Sequence, residues 1–244
     1  MIEFIFWAFV ASAGILLLFY IPVSIAVSNY KQPVRKDYKI PGISIVVCAR
    51  NEHENLKKLI PLLLKQQFGN IEIILVDDKS SDETYDYAIE LDKNEPRFKL
   101  VRIDDTPDHI NNKKFAITMG IRAATYDHVL LTDADCFPQG DNWVQEMSQG
   151  FCSDDKQFVI GFSQYYATKG FLNYFIRFET LYTALKYFGV GLLGNPYMAV
   201  GRNIAYRKSF FLENNGFGKH QGVVGGDDDL LVNRHAKRKN TSFM

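Results

Sequence analysis

Apolar positions along the chain form three kinds of run, and each predicts a different element. The first is unbroken: Phe4 to Val27 contains no Asp, Glu, Lys, Arg or His. A helix of that length spans roughly 36 Å, against about 30 Å for the hydrocarbon core of a bilayer. The second kind is short, rich in β-branched residues and bounded by turn residues, which reads as buried strand. It covers ISIVVC (43–48), IEIILV (71–76), FKLVRI (98–103), HVLLT (128–132) and QFVIGFSQ (157–164). The third recurs at helical spacing, as in Leu56, Leu59, Ile60, Leu63 and Leu64, and a helix is also expected over Lys113 to Ala124. In the DDKSSDET loop, Ser81 or Asp82 is placed to cap the helix that follows.

Strands alternating with helices imply an α/β fold with a mostly parallel sheet flanked by helices. In such sheets ligands bind beyond the carboxyl ends of the strands. Polar groups collect there: Arg50, Asn51 and Glu52 after the first strand, Asp77 and Asp78 ending the second, Asp133 and Asp135 after the fourth.

The first segment reads as a transmembrane anchor. Lys31, Arg35 and Lys36 follow it, whereas only Glu3 and the amino terminus precede it. The positive-inside rule then puts the remainder in the cytoplasm. A cleaved signal peptide is the weaker reading, because there is no basic stretch in front and the apolar run is too long. The 244 residues carry no net formal charge, which argues against a bulk electrostatic grip on nucleic acid. Cys48, Cys136 and Cys152 show no C-x-x-C spacing and leave one thiol over in any pairing, so all three read as packing residues in a reducing compartment.

Asp133 and Asp135 lie two residues apart, and in an extended segment such residues point the same way. Two ionised carboxylates held close repel each other unless one is protonated or a cation sits between them. A hard divalent ion, Mg²⁺ or Mn²⁺, is the natural partner, with substrate phosphates completing its shell. A solvated turn is the bland alternative, and D-x-D alone is weak; placed in register with two other acidic strand ends it is stronger. A two-carboxylate glycosidase or a metal-dependent phosphatase could use the same cluster. There is no G-x-x-x-x-G-K-[ST] loop and no G-x-G-x-x-G turn, so P-loop and dinucleotide-binding readings lose support.

PGISIVVCARNE, IEIILVDDKSSDET, KKFAITMGI and VLLTDADC together resemble the start of a family 2 glycosyltransferase with a GT-A, Rossmann-like fold. GRNIAYRKSFF and GGDDDLLVNRHA resemble that family's acceptor-side segments, so the likeness runs over roughly residues 40 to 237. With the anchor (1–30) and the basic juxtamembrane linker (31–40) read from composition, the resemblance implies that 41–244 is the catalytic domain. It implies that Arg50, Asn51 and Glu52 meet the nucleotide, and that Asp77 or Asp78 contacts the base or ribose. Lys113 matches the lysine of a G-K-x-x-A-L-x-x-G-I pattern that faces the sugar-nucleotide, with Asn112 in place of the glycine. Asp133 and Asp135 match the metal-binding D-x-D, Asp133 also lying against the donor. Asp227 matches the Asp of an E-D segment that carries the catalytic base; here Gly226 stands for the Glu, and Asp228 is the alternative base.

The implied activity is inverting, metal-assisted transfer of a sugar from a nucleotide-sugar, UDP-sugar by resemblance, to a hydroxyl on a glycan or lipid-linked acceptor in polysaccharide biosynthesis. A donor-binding or scaffolding subunit without turnover, and a nucleotide-sugar hydrolase, are the alternatives. The family's processive synthases carry a Q-x-x-R-W segment and further membrane helices; their absence before Met244 is expected either from C-terminal truncation or from a member that works without them.

Two further stretches have double readings. Asp227, Asp228 and Asp229 precede LLVNRHA, where acids also suit a helix N-terminus. Phe171, Tyr174, Phe175, Phe178, Leu181, Tyr182 and Leu185 form a stripe expected to face the core, the alternative being a helix at the membrane interface with Arg177 and Lys186 beside it. Arg202, in a G-x-N turn, is expected at the surface, and the five histidines show no metal-ligand spacing.

Overall fold

The computed structural model describes residues 1–32 and 40–244, so Arg35 and Lys36 and most of the expected linker lie outside the described residues. Helix α1 (Ile2–Ser28) comes first. Then follow β1 (Ile43–Ala49), α2 (His53–Leu64), β2 (Ile71–Asp78), α3 (Thr84–Asn94), β3 (Phe98–Ile103), α4 (Asn112–Ala123) and β4 (His128–Asp133). The second half holds α5 (Trp143–Gln149), β5 (Phe158–Ile160), α6 (Phe171–Leu192), β6 (Ile204–Arg207), α7 (Lys208–Glu213), α8 (Asp229–His235) and β7 (Thr241–Phe243).

The strands form one seven-stranded sheet in the order β3-β2-β1-β4-β6-β5-β7. β3, β2, β1 and β4 are mutually parallel, while β6 runs antiparallel between β4 and β5. The unbroken apolar runs of β1 and β2 follow from burial on both faces. Ile45, Val47, Ile73 and Leu75 meet α2 and α5 on one side; Val46, Ile74 and Val76 meet α4 on the other. Successive side chains alternate between the two layers, as strand geometry requires.

The expected capping of α3 by Asp82 is present: its Oδ1 accepts from the Thr84 N–H (3.0 Å). Two expectations need correction. QFVIGFSQ forms a strand only over Phe158–Ile160; beyond it the Gly161 and Phe162 N–H groups donate to the Asn203 (2.9 Å) and Met244 (3.2 Å) carbonyls, and the Asn203 amide donates to the Phe162 carbonyl (2.7 Å). The aromatic stripe of α6 does not face the core. Ala184, Tyr187, Gly189 and Gly191 are its buried residues, all in its second half, while Phe171, Tyr174, Phe175, Phe178 and Leu181 are exposed and Tyr182 and Leu185 half-buried. Its first half offers no buried residue to the sheet layers.

Gly120 shows how closely α4 lies on the sheet: an added Cβ would stand 2.5 Å from Val46 Cγ1 and 2.9 Å from Val76 Cγ2. Alanine gains about 1 kcal/mol of helix propensity over glycine, but overpacking a full core costs about 1–3 kcal/mol. Gly120→Ala is therefore expected to lower stability by about 1 kcal/mol in denaturant titration. An unchanged or raised midpoint would show that α4 can lift off β1 and β2 without cost.

Candidate functional site

Parallel register assembles the site. Cys48 in β1 pairs with Asp133 at the end of β4, and Ala49 pairs with Asp77 in β2, so the acidic strand ends stand side by side. Asp77 and Asp78 are buried; Asp77 Oδ1 has no hydrogen-bond partner among the described residues, and Asp78 Oδ1 faces the Lys79 ammonium at 3.8 Å. Buried acceptors left unmet are costly, so the Asp77 oxygen is suited to a donor from outside the chain.

The loops beyond the strands are tied to each other. Asn51 has φ 58°, a left-handed conformation that asparagine tolerates. Its Oδ1 accepts from the Ser81 N–H (2.8 Å), and its own N–H donates to Ser80 Oγ (2.9 Å). The Glu52 N–H donates to Thr84 Oγ1, and its carboxylate accepts from Asn55 (2.6 Å). Asn51 and Glu52 thus bind the β1 and β2 loops together, while Arg50 is exposed at the strand end.

Lys113, in the first turn of α4, joins the other two elements. Its Nζ lies 3.3 Å from Asp133 Oδ1 and 3.2 Å from Asp227 Oδ2. Burial alone would weaken this ammonium, but the two carboxylates outweigh it and hold its pKa well above the usual lysine value. Lys113 remains 46% exposed, so each pair is worth about 1 kcal/mol or less, and its effect is positional.

The three consecutive aspartates divide their tasks. Asp228 caps α8: Oδ1 accepts from the Asp229 N–H (2.8 Å) and Oδ2 from the Gly201 N–H (2.6 Å). Burial, then the Asp227 charge, push its pKa up against those bonds. Asp229 Oδ1 accepts from the Ala199 N–H (3.3 Å), and burial followed by the Asp228 charge raises its pKa to about 6. Asp227 instead pairs with Lys113 and is 11% exposed. Gly225 (φ 74°) and Gly226 (φ 65°) deliver it in left-handed backbone, and a Cβ at Gly226 would lie 2.8 Å from Leu230 Cδ1. A glutamate does not fit that conformation, which accounts for the glycine there.

Ligand atoms of Asp133, Asp135 and Cys136 all lie within 4.8 Å of one another. Burial pushes the Cys136 thiol up to about 12, and it donates to Asp135 Oδ1, so it stays a thiol rather than a thiolate ligand. The remaining donors are hard carboxylate oxygens, which fit Mg²⁺ or Mn²⁺. Beside them opens a cavity of about 430 Å³, lined by Asp133, Asp135, Trp143, Tyr165, Tyr166 and Arg202 among others. Arg202 is anchored rather than free: its Nε donates to Ser163 Oγ (2.8 Å).

Sequence reasoning missed Lys114. It is 1% exposed, and its Nζ donates to the carbonyls of His220 (2.8 Å) and Val223 (2.9 Å), holding the segment that leads to Asp227. The doubled lysine was the signal, but adjacent helical residues point about 100° apart, and only packing decides which one faces inward.

The model of glycosyl transferase family 2 matches residues 44–213. Over 97 residues the chain is 32% identical to the poly-beta-1,6-N-acetyl-D-glucosamine synthase of Staphylococcus epidermidis, covering 40% of this chain and 22% of that protein. The Staphylococcus aureus (strain COL) synthase is 29% identical over 119 residues, 49% of this chain and 28% of that protein. The chain therefore matches only about a quarter of the length of these relatives. Among solved structures, mannosyltransferase PcManGT from Pyrobaculum calidifontis in complex with GDP-Man and Mn²⁺ superposes with a TM-score of 0.72 at 16% identity, over 96% of this chain and 65% of that one. S. aureus TarS 1–349 in complex with UDP-GlcNAc gives 0.54 at 15% identity, over 83% and 56%. At such identities the likeness shows the fold, a GT-A-like sheet.

A carboxyl whose folded pKa is raised contributes stability that is fully present below its unfolded pKa and lost as pH rises through the folded value. For Asp229 that window runs from about pH 4 to somewhat above about 6. Asp229→Asn keeps an acceptor for the Ala199 N–H without the charge. Its unfolding midpoint should match the parent near about pH 4 and exceed it near about pH 8. An equal offset at both ends would remove Asp229 from the pH response.

Proposed function

The chain belongs to glycosyl transferase family 2, and from that premise we propose that it transfers a sugar from a UDP-sugar to an acceptor hydroxyl with inversion, using Mg²⁺ or Mn²⁺. The observation that carries this reading is the Lys113 ammonium standing between Asp133, at the end of β4, and Asp227, before α8. It brings the candidate cation site and a candidate base to one point in the cleft.

The roles follow from charge. Asp133 and Asp135 would hold the cation, which when bound offsets the negative charge developing on a departing diphosphate. Asp77 presents an unmet acceptor suited to the N–H or hydroxyl groups of a nucleoside, with Asp78, paired to Lys79, beside it. A diphosphate entering beside Asp133 competes for the Lys113 ammonium, which frees Asp227 to accept the proton of the attacking hydroxyl. The hydroxyl oxygen then bonds the anomeric carbon as the bond to the diphosphate breaks, and the diphosphate leaves with the electron pair. Asp227, rather than Asp228, is the base in this reading, because both Asp228 oxygens already accept backbone N–H groups. UDP is favoured because the TarS structure is a complex with UDP-GlcNAc and the sequence relatives are synthases of an N-acetylglucosamine polymer. The acceptor is a glycan or a lipid-linked glycan. Helix α1, long and apolar enough to cross a membrane, anchors the domain on the cytoplasmic face.

Calorimetric titration with UDP, and with GDP for comparison, in Mn²⁺ or in EDTA tests the cleft. UDP is expected to bind with Mn²⁺ and to lose most affinity in EDTA. Asp135→Asn should weaken Mn²⁺-dependent UDP binding by about tenfold or more. Unchanged affinity would count against the D-x-D clamp.

Asp227→Asn separates binding from chemistry. UDP affinity should stay within about threefold, while sugar transfer falls by about 10²–10⁴. Full transfer by this variant would move the base elsewhere.

A further inference from the structure

We propose that Lys114 is a positioning residue for sugar transfer, which fixes from inside the fold the backbone that presents Asp227 and acts on the chemistry only through that aspartate; this rests on the reading of Asp227 as the base. Lys114 is 1% exposed, and its ammonium meets two neutral carbonyls, those of His220 (2.8 Å) and Val223 (2.9 Å), rather than an ion-pair partner. Burial draws its pKa below the usual lysine value, against the charges of Asp227 and Asp228. A charge buried in this way is costly, and a methionine of similar length would fill the space without that cost. What the ammonium supplies is direction: it sets where two carbonyls of one segment must point.

That segment has little else to define its path. Residues 221–226 lie between a short 3₁₀ turn (Gly218–His220) and α8. Val223 is 45% exposed and Val224 89%, so no core fixes them. Gly225 and Gly226 follow in left-handed backbone, where glycine is least constrained. The start of α4 supplies the bonds: two from Lys114, and one from the Asn111 N–H to the Gln221 carbonyl (2.8 Å). Gly222 rests on the loop before α4, where an added Cβ would stand 2.7 Å from the His109 carbonyl oxygen. The Lys114–Val223 contact is the last of these bonds before Asp227, four residues on. Beyond Asp227, α8 takes over: the Gly226 carbonyl accepts from the Leu230 N–H (3.3 Å), and Asp228 Oδ2 from the Gly201 N–H. Lys113 and Lys114 thus hold Asp227 in different ways. Lys113 holds the carboxylate from a half-exposed position, and an anionic ligand draws it away. Lys114 holds the backbone from a buried one, so Asp227 keeps its place when Lys113 leaves it. A displacement of about 1 Å at a reacting group costs about 10²-fold in rate. The donor-side groups at the ends of β1, β2 and β4 stand on other elements.

A double-mutant cycle tests this. UDP release from UDP-GlcNAc in Mn²⁺, with an N-acetylglucosamine oligosaccharide as acceptor, is compared for the parent, Lys114→Met, Asp227→Asn and the double variant, together with UDP affinity by calorimetry. Lys114→Met should lower kcat about 10²-fold while KM for UDP-GlcNAc and UDP affinity stay within about threefold. The double variant should be no slower than Asp227→Asn alone, because a residue that acts through Asp227 then has nothing left to position. Amide exchange over 221–226, read without turnover, should quicken about tenfold or more in Lys114→Met and stay unchanged over β1 and β2. Lys114→Gln, which keeps a donor for one carbonyl, should fall between parent and Lys114→Met, and it supplies the same comparison where the methionine variant does not fold. A kcat within about threefold of the parent in both Lys114 variants, with Asp227→Asn inactive, overturns the proposal and leaves the base reading intact. Multiplying losses in the double variant, or a parallel loss of UDP affinity, would make Lys114 a support of the fold at large and likewise overturn it. Full turnover by Asp227→Asn removes the base reading and this one with it.

Discussion

Carboxylates gathered at one edge of a buried sheet repel one another, and the position of Lys113 answers that constraint. Parallel pairing of β1 with β2 and β4 makes the gathering unavoidable: with Cys48 beside Asp133 and Ala49 beside Asp77, the acidic ends share one rim. Lys113 places a single ammonium against both Asp133 and Asp227, bridging the D-x-D strand end and the loop before α8. Its exposure keeps the pairs weak in energy, which suits a group that an anionic ligand can draw away.

Helix α4 therefore carries two separable duties in its first turn. Asn111 caps it, accepting from the Lys114 N–H. Lys113 faces the carboxylates, whereas Lys114 is withdrawn from water and grips two carbonyls of the segment before Asp227. Gly120, near the other end, lets α4 sit flush on β1 and β2. The position of Lys113 is thus set by sheet packing at one end of the helix and by loop anchoring at the other.

The lower half of the molecule follows a different physics. α1 and the first half of α6 carry large apolar residues with no protein layer over them. They meet through a close approach at Gly189 and a pair of tyrosines rather than through a broad core. Such a seam leaves the outer surfaces of both helices exposed among the described residues.

Short apolar runs were sufficient for the four parallel strands, an unbroken run for α1 and helical spacing for α2 and α4; the strands, α2 and α4 bury faces whose spacing is written locally, whereas α1 is apolar all round. The acidic strand ends were legible for the same reason: a charge directly after an apolar run marks where the core stops. β6 and β7 were not anticipated, since strands of three or four residues carry too little periodicity and owe their place to pairing with β4 and β5. Nor could the stripe on α6 announce its partner, because core and lipid ask for the same residues. Among Asp227, Asp228 and Asp229, and between Lys113 and Lys114, composition is equal. Tertiary structure alone turned Asp228 and Asp229 to backbone N–H groups and Lys114 to carbonyls, leaving Asp227 and Lys113 to face the cleft, because side-chain direction depends on what the rest of the chain packs around it.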